Sequence, residues 1–209
     1  MKYGFINTSG KVIVPLMFSK KPENFSNGLA KVYSNEKTCS SCSQYHYSYI
    51  NKKGDFVINS KDLKNSGMTF RPFVHGYAFS YLDVMDKQGT VISATDFLIS
   101  FGIPKEIITN KKNISVQWDC KNIVNGKMMV SFKGIEGHTY KKYHALLDLV
   151  NKETLFYWYA DAKIGPFDPV SGLAKVEEYG EKIRNNRKRI GYINENGIFM
   201  IVKGEASKW

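Results

Sequence analysis

One short pattern recurs along the chain and limits what it can fold into. An apolar-rich run ends in Asn or Asp, two polar residues and a Gly follow, and a second apolar run begins. It reads YGFINTSGKVIV at Tyr3–Val14, YSYINKKGDFVI at Tyr47–Ile58, YLDVMDKQGTVI at Tyr81–Ile92 and IGYINENGIFMIV at Ile190–Val202. Asn7, Asn51, Asp86 and Asn194 are residues that open a type I turn by bonding the backbone two residues on. Gly10, Gly54, Gly89 and Gly197 supply the positive φ that closes such a loop. Each copy therefore predicts a β-hairpin. A degenerate copy, LLDLVNKETLFY, lies at Leu146–Tyr157, with Glu153 where the glycine would fall.

A second motif lies between the hairpins. FSNGLAKV at Phe25–Val32 is matched by FVHGYAFS at Phe73–Ser80, IVNGKMMV at Ile123–Val130 and PVSGLAKV at Pro169–Val176. Its glycines, Gly28, Gly76, Gly126 and Gly172, are spaced by 48, 50 and 46 residues. Each opens an alternating strand. In the first copy Ala30 and Val32 share one face, while Leu29 and Lys31 share the other. The small residues after the glycine suggest close backbone approach across a packed sheet.

One unit is thus a Gly-led strand, a variable connection and a hairpin. Three short strands cannot bury their apolar face alone, so the units must stack. The expectation is an all-β fold of about four antiparallel repeats of roughly 45 residues, either propeller-like or a curved β-solenoid. It would form a single domain over residues 1–209, with approximate units 1–58, 59–92, 93–157 and 158–209. Residues 93–122 fit the pattern least, and DFLISF before Gly102-Ile103-Pro104 reads as a short helix or as more strand. FKGIEGHTYKKY, from Phe132 to Tyr143, is polar and Gly-rich and reads as a long loop or hairpin tip.

YGFINTSGKVIVP followed by FSNGLAKV resembles the bacterial WG repeat family, and RIGYINENGIFMI resembles it again. The namesake Trp-Gly is Tyr3-Gly4 at the first site, Ile190-Gly191 at the last and Tyr47-Ser48 in the second unit. The resemblance implies a β-repeat array that mediates binding. It brings no catalytic residues.

Composition sets the remaining bounds. The chain has 209 residues, is 43% hydrophobic and carries a formal net charge of +11. That is a globular composition with a bias toward acidic or polyanionic partners. No apolar run reaches membrane-spanning length, about 18 residues. No secretory leader is evident, and the three cysteines are too few for a disulfide scaffold, so the expected location is the cytoplasm.

Three features are candidates for chemistry. Lys182, Arg184, Arg187, Lys188 and Arg189 form the densest basic stretch and are candidates for nucleic-acid or polyanion contact. Aromatic runs place Tyr45, Tyr47, Tyr157, Trp158 and Tyr159 as partner-binding candidates, against ordinary cross-strand aromatic pairing. Cys39, Cys42 and His46 have zinc-ligand character, weakened by the lack of a second Cys pair. No phosphate loop, dinucleotide fingerprint or HExxH motif occurs. The expected function is a non-enzymatic interaction protein that binds, inhibits or scaffolds a partner protein or nucleoprotein. The alternatives are direct RNA or DNA binding through residues 182–189, and a zinc-stabilised or Cys-dependent protein.

Overall fold

The computed structural model describes every residue except 42, 64–68, 109–113, 115, 137–138, 160–161, 179–188 and 204–209. It is built mostly from antiparallel strands in several small sheets. The chain divides into two compact units, Met1–Ile92 and Ser93–Trp209.

The first unit opens with a hairpin of β1 (Tyr3–Ile6) and β2 (Val12–Phe18). A three-stranded sheet follows, of β3 (Leu29–Lys37), β4 (Tyr45–Asn51) and β5 (Phe56–Asn59). The third sheet holds β6 (Tyr77–Phe79), β7 (Asp83–Asp86) and β8 (Val91–Ser93), which runs into the boundary between the units. In the second unit a helix, α1 (Ala94–Ser100), precedes a sheet of β9 (Val116–Trp118), β10 (Lys127–Glu136), β11 (Thr139–Asp148) and β12 (Glu153–Tyr159). The last sheet is β13 (Ala162–Phe167), β14 (Leu173–Glu178), β15 (Arg189–Asn194) and β16 (Phe199–Lys203).

The four predicted hairpin turns share one geometry. A single side-chain oxygen accepts the amides two and four residues ahead. Asn7 takes Ser9 and Lys11 at 3.0 and 2.9 Å, and Asn51 takes Lys53 and Asp55 at 2.8 and 3.1 Å. Asp86 takes Gln88 and Thr90 at 2.9 and 2.8 Å, and Asn194 takes Asn196 and Ile198, both at 3.0 Å. In the degenerate copy Asp148 opens the turn, accepting from Val150 and Asn151, and Lys152 rather than Glu153 holds the positive φ, +60°.

The second glycine motif makes a tight two-residue turn in three of its copies. Asn27-Gly28, His75-Gly76 and Asn125-Gly126 all have positive φ at both positions, the backbone of a type I′ hairpin. The flanking residues exchange both backbone bonds, as Ser26 and Leu29 do at 2.8 and 3.1 Å. A Cβ at Gly28 or Gly76 would meet nothing within 4 Å. Backbone handedness therefore selects these glycines. Gly172 closes a longer loop, in which the Asp168 side chain caps Val170 and Ser171.

Layering explains the burial. Ala30, Val32 and Ile50 pack with Val14 and Phe18 of the first hairpin. On the other face Leu29, Tyr47, Tyr49 and Ile58 pack with Phe70, Phe73, Ala78 and Met85. The β3–β5 sheet is thus covered on both faces. Successive layers also meet at their turns: the Asn27 side chain accepts the Gly76 amide at 3.0 Å. A Cβ on Gly54 would lie 3.5 Å from Val14, and one on Gly89 would lie 3.5 Å from Ile58. In the second unit Met129 and Leu146, with Phe156 and Trp158, pack against Ala174, Val176, Ile193 and Phe199.

Two segments take one of the forms that the sequence left open. Residues 132–143 belong largely to one ladder that runs from Lys127↔Asp148 to Glu136↔Thr139. Gly134 sits where it does because a Cβ there would come within 2.5 Å of the Tyr143 ring and 2.6 Å of the Ile107 carbonyl oxygen. DFLISF forms helix α1, capped by Ser93, whose hydroxyl accepts the Asp96 amide at 3.0 Å. The helix ends at Gly102, φ +94°, with Ile103 donating to Leu98 and Gly102 to Ile99.

These contacts rank the turn glycines. Gly10→Ala should cost about 1 kcal/mol, the left-handed backbone term alone, because its Cβ would meet open space. Gly197→Ala should cost about 2–3 kcal/mol, since its Cβ would also lie 2.7 Å from the Phe156 ring. Urea unfolding midpoints of the two variants check the order.

Candidate interaction surface

The sequence candidates separate by burial. Tyr47 lies in the core of the first unit and offers no side chain to a partner. Tyr45 is half-buried, with the Lys20 ammonium 3.5 Å over its ring. On β12 the strand alternation divides the aromatic run. Phe156 and half-buried Trp158 turn to the core, with Trp158 5.4 Å from His144, while Tyr157 and Tyr159 are exposed. Lys182, Arg184, Arg187 and Lys188 lie outside the described residues. Arg189 opens β15 with its backbone paired to Glu178.

Cys39 is disulfide-bonded, and a disulfide sulfur is not the thiolate that zinc binds. Cys42 lies outside the described residues, and Cys120 is half-buried. His46 stands on β4 with Nδ1 buried. Among the described residues no group of three or more His, Cys, Asp or Glu is placed to hold a metal.

The distal part of the β10–β11 hairpin collects charge and aromatic rings. Lys133 and Lys142 stand directly opposite each other across the strands, both exposed. No carboxylate among the described residues pairs with either. Like charges at that separation oppose pairing of the strands. The pleat puts Lys141 on the opposite face, with Tyr143, Tyr157 and Tyr159. The Lys141 ammonium lies 3.7 Å over the Tyr159 ring, and Tyr143 and Tyr159 meet edge to face at 6.2 Å. Tyr140 is exposed on the face of Lys142. The hairpin end is therefore basic on both faces, with tyrosines within reach.

Sequence reading gave no special role to Lys31, which the structure buries in the first unit. It is 2% exposed, and its ammonium donates to the Phe70 carbonyl at 2.9 Å. Glu23 lies 3.8 Å away and the Tyr47 ring 4.3 Å. The Tyr33 hydroxyl donates to Glu23, and Tyr49 donates to the Arg71 carbonyl at 3.3 Å. Burial lowers the Lys31 pKa, and the Glu23 charge opposes that shift. Burial raises Tyr33, with Glu23 adding to it, raises Tyr49, and pushes Tyr47 up to about 12. Lys31 ties β3 to the Phe70 backbone and compensates Glu23. That is the work of a buried structural cation.

The comparison with known families bears on the opening of the chain. Residues 3–37 match the WG containing repeat. The chain carries a WG repeat. A comparison with curated proteins finds no match. The matched stretch takes in β1, β2 and β3, so one WG repeat spans two layers: a hairpin, then the first strand of the next sheet. The glycine of the Trp-Gly pair, Gly4, has a structural reason. A Cβ there would strike the Val14 carbonyl oxygen and lie 2.6 Å from that of Pro15, where β2 bulges over β1.

The tyrosines set an alkaline limit. Above about pH 10 the unfolded chain ionises its phenols, while the folded chain holds Tyr47 protonated to about 12. The unfolded state then binds fewer protons, so stability falls as pH rises through that window. Lys31, with its lowered pKa, acts oppositely, and its contribution is complete near the ordinary lysine value of about 10.4. The urea midpoint should drop between pH 10 and 12, and Tyr47→Phe should flatten the drop.

Proposed function

We propose that this WG-repeat protein is a non-enzymatic binding protein that engages an acidic partner protein or nucleoprotein through the β10–β12 surface, in order to block or scaffold it. The observation that carries the reading is the Lys133–Lys142 pair, two exposed like charges held face to face with no carboxylate among the described residues pairing with either. A neighbouring anionic group turns that mutual repulsion into attraction. Exposed Tyr157 and Tyr159 on the Lys141 face, and exposed Tyr140 on the face of Lys142, add the tyrosine-and-cation composition that recurs at protein interfaces. The net charge of +11 would steer such a partner toward the chain.

The WG repeat at residues 3–37 supports a binding role of this general kind. Zinc has no part in the reading, because Cys39 is held in a disulfide.

The test is affinity purification from the native host with the wild-type chain and with a Lys133→Ala, Lys141→Ala, Lys142→Ala variant. Each is run with and without nuclease. The expected result is a specific protein, retained by wild type after nuclease treatment and lost from the variant. Recovery of the same protein by the variant would sink the proposal. A partner that disappears on nuclease treatment would favour direct nucleic-acid binding instead. Binding should also weaken as salt rises, because the contacts are exposed ion pairs.

A further inference from the structure

The ladders beside β12 fix which of its backbone groups face the sheet and which face away. On β10 the Met129 carbonyl accepts from the Asp119 amide at 3.1 Å, and the Ile135 amide donates to the Ile107 carbonyl at 2.8 Å, both away from β11. In an antiparallel sheet, residues that bond one neighbouring strand alternate with residues that bond the other. Val130, Phe132 and Gly134 therefore bond their register partners on β11, which are Ala145, Tyr143 and Lys141. His144 and Leu146 bond the opposite way, to Trp158 and Phe156 of β12. The amides and carbonyls of Tyr157 and Tyr159 are left pointing outward, along the edge of the sheet.

That edge is open. β12 ends the strand order of its sheet, and among the described residues no backbone group bonds Tyr157 or Tyr159 from the outer side. The bulge of β12 falls at Leu155, so Phe156 to Tyr159 keeps regular register. From Thr154 to Tyr159 the strand holds no Lys, Arg or Pro, residues that shield exposed edges elsewhere. Both tyrosines are solvent-exposed, Tyr157 at 40% and Tyr159 at 53%. Two outward amides and two outward carbonyls, set two residues apart, are a template for one more strand.

We infer that the β12 edge takes up an extended, acidic segment of the partner protein as an added antiparallel strand. The inference rests on the acidic-partner reading above and says how that partner is held. Main-chain bonds to Tyr157 and Tyr159 supply affinity, and alternate side chains of the segment supply selectivity. Segment residues opposite Tyr157 and Tyr159 fall on the face of Lys141, whose ammonium lies 3.7 Å over the Tyr159 ring. A carboxylate there meets a cation. The residue between them falls on the face of half-buried Trp158 and Phe156, where an apolar side chain suits. The segment is thus acidic and apolar by turns. A second copy of β12 does not supply this pattern. Its one charged residue, Glu153, is the register partner of Asp148 and lies on the Trp158 side of the pleat.

Amide hydrogen exchange of the full chain tests this, with a synthetic peptide of alternating Glu and Val as the probe. In the free chain the Tyr157 and Tyr159 amides should exchange fast, and those of Phe156 and Trp158 slowly. Saturating peptide should slow the Tyr157 and Tyr159 amides by about tenfold or more, as new ladder bonds do. A peptide of alternating Lys and Val should not. Tyr157→Pro removes one outward amide and no ladder bond, so the chain should still fold. It should bind the Glu–Val peptide about tenfold more weakly than Tyr157→Val, which loses the ring and keeps the amide. If the Pro variant misfolds, exchange in the wild type still decides. The inference is overturned by a Glu–Val peptide that does not bind, or by a Lys–Val peptide that protects the two amides equally. It is equally overturned by a folded Pro variant that binds as tightly as the Val variant. Peptide binding that needs Lys133, Lys141 and Lys142 but leaves both tyrosine amides exchanging as in the free chain overturns strand addition alone, and leaves the acidic-partner reading standing.

Discussion

A two-stranded hairpin has two faces and no interior. It becomes stable only when another layer lies on it, and in this chain that need is met by stacking. The contact that carries the stack in the first unit is local and repeated. An aliphatic side chain from the second strand of one hairpin, Val14 or Ile58, sits under the turn glycine of the next, Gly54 or Gly89. The residue before that turn, Ile50 or Met85, closes onto the same layer. The second unit repeats the contact in tighter form, with Gly197 against the Phe156 ring.

The WG repeat is therefore a connector as much as a motif. Its matched stretch supplies one hairpin and the leading strand of the following sheet, so each repeat is divided between two layers. Covering the β3–β5 sheet on both sides has a cost. Four consecutive residues of β3, from Leu29 to Val32, are buried, and alternation forces Lys31 inside with them. The Phe70 carbonyl, Glu23 and the Tyr47 ring meet its charge, which is why polar groups and phenols with raised pKa values lie inside an otherwise apolar unit.

The legible parts of the fold were those written in turn chemistry. Asn7, Asn51, Asp86 and Asn194 made the predicted bonds because an Asx turn needs only its own neighbours. The degenerate copy slipped, with Asp148 and Lys152 in place of the predicted positions, because non-Gly residues also reach positive φ when a ladder on either side holds them. The 132–143 segment read as a long loop or hairpin tip because its polar letters hide alternation. Phe132, Gly134, Lys141 and Tyr143 share one face, and only the partner strand reveals it. The candidate surface was half legible. Tyr157 and Tyr159 were named from their density, whereas Lys133 and Lys142 became a pair only through the register.

By itself the sequence determined the hairpins, their turns and the repeat, because these depend on φ preferences and hydrogen bonds within a few residues. Tertiary structure decided which face of each hairpin is core. It hid Tyr47 and Lys31, exposed Tyr159, and left Ile6 uncovered while four residues in the same repeat position are buried. The physical reason is that burial belongs to the stack: an identical local pattern is interior or surface according to whether another layer lies over it.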